Sequence, residues 1–168
     1  MTISEWVEHI TGTHHALLKR ELPRLRIDLD AAAQGRREPA WAVLAENFRN
    51  LKHELEIHLS KEEMMVFPSF RHLEECRVLG QAPDLKRYDI RESLNQMEYE
   101  HDATKDFIRG MEGAMVDITD DCRGGALFER MRALCRDLEE HIEKEERGLF
   151  PEARFIYSEL TKSILREE

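Results

Sequence analysis

His58-Leu-Ser-Lys61-Glu62-Glu63-Met-Met-Val-Phe67-Pro68 recurs 83 residues further on as His141-Ile-Glu-Lys144-Glu145-Glu146-Arg-Gly-Leu-Phe150-Pro151, with six identities in eleven positions. Each copy opens with His-x-x-x-Glu. On an α-helix, residues four apart share a face, with Cβ atoms about 5–6 Å apart, so an imidazole and a carboxylate can converge on one ion. A single pair arises by chance, whereas two copies in matching surroundings point to a paired metal site. A lone histidine precedes each copy, His15 by 43 residues and His101 by 40. The candidate ligands are therefore His15, His58, Glu62, His101, His141 and Glu145.

Imidazole and carboxylate without thiolate suit iron, manganese or zinc. If both acids bridge two ions, each ion receives two nitrogens and two oxygens. A solvent-derived bridge makes five donors and leaves one octahedral position for a small ligand. Ferritin-like bundles supply four carboxylates and Glu-x-x-His; here the motif is reversed and nitrogen predominates. With two carboxylates rather than four, the site should stabilise ferric iron less and be reduced more easily. A metal-free core is the weaker reading, because a buried charge without a close partner costs several kcal/mol against a total stability of about 5–15 kcal/mol.

The elements that position these groups read as helices. Apolar residues recur at steps of three and four along Leu44, Phe48, Leu51, Leu55, His58, Glu62 and Met65. The third stripe runs Ile90, Leu94, Met97, His101, Thr104, Ile108, Met111 and Met115, and the fourth Leu127, Met131, Leu134, Leu138, His141, Glu145 and Gly148. The first helix holds two competing stripes. One joins Ile10, His14 and Leu17 and then meets Glu21 and Arg24; the other, His15, Leu18, Leu22, Leu25 and Leu29, stays apolar longer and favours His15 as the inward residue. Pro39 suits a first helical turn. Linkers are predicted at Gln34 to Pro39, Gly80 to Pro83 and Asp120 to Gly125, with Pro68 and Pro151 bending or ending their helices. Two copies of a helix hairpin predict an all-α, up-down-up-down four-helix bundle in one domain spanning residues 1–168.

Composition agrees. Of 168 residues, 36% are charged and 41% apolar, with eight Gly and five Pro, which favours long amphipathic helices. A net charge of -10 opposes binding to nucleic acid or an anionic membrane. Cys76, Cys122 and Cys135 lack Cys-x-x-Cys spacing and are expected as free thiols. No apolar run is long enough to span a bilayer, and the first residues do not resemble a signal peptide, so a cytoplasmic location is expected.

A lone His, His-x-x-x-Glu, a second lone His and His-x-x-x-Glu-x-x-x-x-Phe-Pro together resemble the hemerythrin-like (HHE) di-iron domains, and within them the Repair of Iron Centres branch. The likeness rests on Thr13-His14-His15 through Glu21-Leu22-Pro23, on Met97-Glu98-Tyr99-Glu100-His101-Asp102, and on Asp137 through Pro151. It covers roughly Ile10 to Pro151, and alignment of Leu22-Pro23 selects His15 over His14. The resemblance implies a hemerythrin-like bundle holding two iron ions joined by an oxo or hydroxo bridge, with Glu62 and Glu145 bridging and four histidines terminal. It also implies restoration of iron–sulfur clusters damaged by nitric oxide or peroxide, with damaged iron–sulfur proteins as partners. Two departures from the relatives are expected to matter: the short Cys-containing domain that precedes many members is not expected here, and no histidine lies between His15 and His53. The oxygen-carrying hemerythrins place two histidines four apart on the third helix, whereas Lys105 follows His101. Redox or nitric oxide chemistry therefore fits better than oxygen transport, and a sensing or storage module without turnover is the alternative.

Other residues have plainer readings. Glu54 and Asp137, each four before a candidate His, occupy equivalent repeat positions where an acceptor for its second N–H could stand, but a solvated face is the plainer reading. Glu63 and Glu146 point away from the stripe. His9, His53 and His72 are surface residues, with His53 a fifth-ligand alternative. Tyr99 and Met64, Met65, Met97, Met111 and Met115 are expected in the core.

Overall fold

A computed structural model describes residues 1–84, 89–119 and 125–167. Four helical rods form an up-down-up-down bundle. The first rod is α1 (Ile3–Ile10), a π-turn (Thr11–His15) and α2 (Ala16–Ala33). The second is α3 (Pro39–Lys61), a π-turn (Glu62–Val66) and α4 (Phe67–Leu79). The third is α5 (Ile90–Asp117), and the fourth is α6 (Gly125–Lys144), a π-turn (Glu145–Leu149) and α7 (Phe150–Glu167). Successive rods pack side by side, and α6 returns against α2 to close the bundle.

Local chemistry accounts for the rod ends. Thr2 and Glu5 form a reciprocal capping box at the start of α1. The Glu74 carboxylate, from α4, accepts hydrogen bonds from the backbone amides of Ile3 and Ser4 and from the Ser4 hydroxyl. Pro39 occupies the first turn of α3, and Gly80 ends α4 in the left-handed region at φ 64°, a conformation that glycine adopts without Cβ strain. Of the predicted linkers, 120–124 lie outside the described residues and Gly125 begins α6.

The π-turns correct the stripe reading. A π-turn admits one extra residue, which shifts the inward face by one position. In the second rod Val66, not Met65, follows Glu62 into the core, and Met65 is 66% exposed. In the fourth rod Leu149, not Gly148, follows Glu145. In the first rod the extra residue carries the face from Ile10 to His15, so the two competing stripes are successive pieces of one buried face. The third rod has no π-turn among the described residues, and its stripe is buried throughout from Ile90 to Met115.

The prolines do not end their helices. The amides of Phe67 and Phe150 bond back five residues to Glu62 and Glu145, and Pro68 and Pro151 come next. Each missing N–H thus falls where the ladder returns from five-residue to four-residue steps, and the rods run on. Tyr99 and Met64 are exposed rather than in the core, while Met97, Met111 and Met115 are buried. Cys76 and Cys135 are buried free thiols, and Cys122 lies outside the described residues.

The core is divided. One apolar compartment contains Leu22, Trp41, Phe48, Met111 and Leu134, and the other contains Ile3, Phe70, Leu94, Phe150 and Ile156. Between them, buried in the middle of the bundle, lies a polar layer of His15, His58, Glu62, His101, His141 and Glu145.

Candidate metal centre

Each rod contributes to this layer at the height of the π-turns. His15 ends the first π-turn, while Glu62 and Glu145 begin the other two. His58 and His141 stand one turn before the acids on α3 and α6, and His101 lies on α5. The structure therefore brings together all six side chains that the sequence singled out. None is more than 4% exposed.

They form two quartets that share both acids: His15, His141, Glu62 and Glu145, and His58, His101, Glu62 and Glu145, with one potential ligand atom per residue and all such atoms of a quartet within 4.8 Å. One oxygen of Glu62 lies 3.3 Å from His15 Nε2 and the other 3.3 Å from His58 Nε2. Glu145 repeats this at 3.1 Å to both His141 Nε2 and His101 Nε2. Both carboxylates thus span the quartets.

The residues fit a cation. All four carboxylate oxygens of Glu62 and Glu145, with His58 Nε2 and His101 Nε2, are buried and make no hydrogen bond. They are near enough to bond but badly directed for it. His15 Nε2 and His141 Nε2 face each other at 3.3 Å. A buried polar atom left unpaired costs about 1–3 kcal/mol, and atoms of this kind, converging as they do in each quartet, could hold a metal ion.

A surrounding shell orients the rings, and the sequence reading missed most of it. His15 Nδ1 bonds Glu63 at 2.8 Å, His58 Nδ1 bonds Glu100 at 2.8 Å, and His101 Nδ1 bonds Glu146 at 3.1 Å. Lysines hold the three acids in turn: Lys19 on Glu63, Lys61 on Glu100 and Lys105 on Glu146. The available signal was a lysine three or four residues after every candidate histidine. Glu63 and Glu146 do point away from the cluster centre, but toward the backs of the rings. Glu54 is exposed as expected, whereas Asp137 is partly buried and bonds His14 Nδ1 at 3.0 Å. His53 is exposed and His9 contacts Lys144. His14, buried but in neither quartet, stacks on His141. His72 is half-buried beside Cys76.

Without a metal, the layer holds protons. Burial opposes charge on His58, but Glu62 and Glu100 outweigh it and raise the imidazole to about 10. His15 is likewise raised, burial being outweighed by Glu62 and Glu63. Burial also opposes charge on Glu100, which His58, Lys61 and Gln96 nevertheless hold at about 2. Glu145 lies well below the usual carboxylate range, its burial overcome by His141 and His101. Burial lowers His14 against the pull of Asp137.

A four-helix bundle with a buried histidine–carboxylate layer between two apolar compartments defines a helical cation-binding domain. The family model of the hemerythrin HHE cation binding domain matches residues 7–153, and the chain belongs to that family. It is similar to the "Iron-sulfur cluster repair protein YtfE" of Enterobacter sp. (strain 638), with 26% identity over 159 residues, covering 91% of this chain and 67% of that protein. It is also similar to the protein of the same name from Edwardsiella ictaluri (strain 93-146), with 33% identity over 114 residues, covering 66% of this chain and 46% of that protein. The chain thus spans between about half and two thirds of these relatives' length. No helix among the described residues is long and apolar enough to cross a membrane.

Proposed function

We propose that His15, His58, His101 and His141, with Glu62 and Glu145 spanning the pair, hold two iron ions. The chain then carries out stress-linked iron-centre chemistry on nitric oxide, peroxide or oxygen, of the kind that restores damaged iron–sulfur proteins. The observation that carries this reading is the division of each buried carboxylate between two histidine pairs. A mononuclear site has no use for that arrangement. Membership of a cation-binding family and the names of the two relatives support iron and repair. The donors alone also suit manganese or zinc, and the relatives' names are what favour iron.

When bound, iron supplies one-electron chemistry and a coordination position for a small ligand. The chain's own residues prepare for it. Glu63, Glu100 and Glu146 hold ring N–H groups outward so that each Nε2 faces inward. Phe67 and Phe150 stack on His15 and His101 at 5.7 Å, fixing those rings from the apolar side. The apolar compartments above and below exclude water. Only two carboxylates enter the layer, which favours the reduced state.

Anaerobic loading with iron(II), followed by iron and protein quantitation, should give two irons per chain. Exposure of the reduced protein to peroxide or nitric oxide with reductant present should then consume the oxidant repeatedly. Reversible spectral change without consumption would favour a sensing or storage module instead, and a single bound ion would refute the binuclear reading.

A further inference from the structure

The outer partners of the four histidines correspond between the two halves of the site except at one of them. His15 and His101 each stack on the Phe of their own Phe-Pro and each bond the Glu that follows the spanning acid. His58 and His141 correspond in the same way, but their outer contacts differ. His58 Nδ1 meets Glu100, the residue before His101, and Lys61 holds that carboxylate. The residue before His15, which stands where the repeat would put an acid, is His14. Lys144, the counterpart of Lys61, lies 3.0 Å from His14 Nε2. The His14 ring lies flat against His141, with centroids 5.4 Å apart and planes 8° apart. A stacked ring offers no acceptor to Nδ1, and His141 Nδ1 is buried with no protein partner among the described residues.

We propose that the two metal positions are unequal and that residue 14 sets the difference: the ion on His58 and His101 is held firmly, and the ion on His15 and His141 is the exchangeable one. This rests on the binuclear reading above. A ligand imidazole whose second N–H is bound to a carboxylate is fixed in tautomer and orientation and is a more basic donor; loss of such a partner typically lowers metal affinity about 10–100-fold. Three of the four candidate ligand histidines have that partner, and His141 does not. The firm position has it on both histidines, the exchangeable position on His15 alone.

Cobalt(II) titration of the metal-free full chain, followed by visible absorption against a competing chelator, tests this. Repulsion between neighbouring cations separates two binding steps even at equal sites, so the deciding comparison is between variants. His14→Glu should tighten the second step about 10–100-fold and leave the first nearly unchanged. Glu100→Gln, a near-isosteric change, should weaken the first step by a similar factor and bring the two together. A His14→Glu protein with unaltered steps, or one in which the first step tightens instead, overturns the assignment; so does Glu100→Gln without effect. Binding of no cobalt, or of one ion per chain, in the parent protein overturns the binuclear reading and this inference with it.

Discussion

In the metal-free protein, His58 should make stability fall steeply with rising pH. Its imidazole sits between Glu62 at 3.3 Å and Glu100 at 2.8 Å, and these acids raise it from an ordinary value near 6.5 to about 10 against the cost of burial. The sign follows from linkage: the folded state holds this proton more tightly than the unfolded chain, so the contribution is fully present below pH 6.5 and is lost as pH rises through about 10. At about 1.36 kcal/mol per pH unit, the upper limit is about 5 kcal/mol, comparable with the whole stability of many domains. His15, also raised, adds in the same direction. Metal at Nε2 replaces the proton, so the loaded protein should lack this slope, and its affinity for metal should rise over the same pH interval. Urea unfolding followed by circular dichroism at pH 6.5, 8 and 9.5, with and without metal, measures both effects. A metal-free protein whose stability is level or rising across that range would refute the reasoning.

Three further outcomes are expected. Glu145→Ala removes an oxygen from both quartets, so metal content should fall toward zero rather than to one ion per chain; retention of one ion at full affinity would contradict the shared-acid geometry. Gly148→Ala would place a Cβ 2.5 Å from Trp6 Cζ2, and overpacking of this kind costs about 1–3 kcal/mol, partly offset by about 1 kcal/mol of helix propensity; a lower thermal midpoint with altered tryptophan fluorescence is the signature. Cys135, whose thiol burial pushes up to about 12, should resist alkylation at pH 8 in the folded protein and react on unfolding, as peptide mass mapping would show.

The six central side chains were legible because duplication and i,i+4 spacing are written in the sequence, and because an imidazole on an apolar stripe is conspicuous. The third rod could be read from end to end, since α5 keeps one period for its whole length. The other rods could not. Stripe counting assumes a constant helical period, and the extra residue at each π-turn breaks it, which put Met65 and Gly148 where Val66 and Leu149 belong. Pro68 and Pro151 misled for the same reason: their missing donors coincide with the change of ladder. Glu100 escaped notice because it serves a histidine 42 residues away on another rod, a pairing that appears only once the rods are set side by side.

The π-turns also uncouple the two ends of the molecule. Inserting one residue rotates everything outboard of it by about 100° relative to a regular helix, so three rods enter the two apolar compartments on independent phases. Deleting a residue from Thr11–His15 would restore an ordinary helix and swing Ile3, Val7 and Ile10 out of their seats, while Leu18 to Leu29 stayed in place. The histidine–carboxylate layer thus sits at a phase joint, where each end of the barrel-shaped interior can be tuned without dragging the other around its axis.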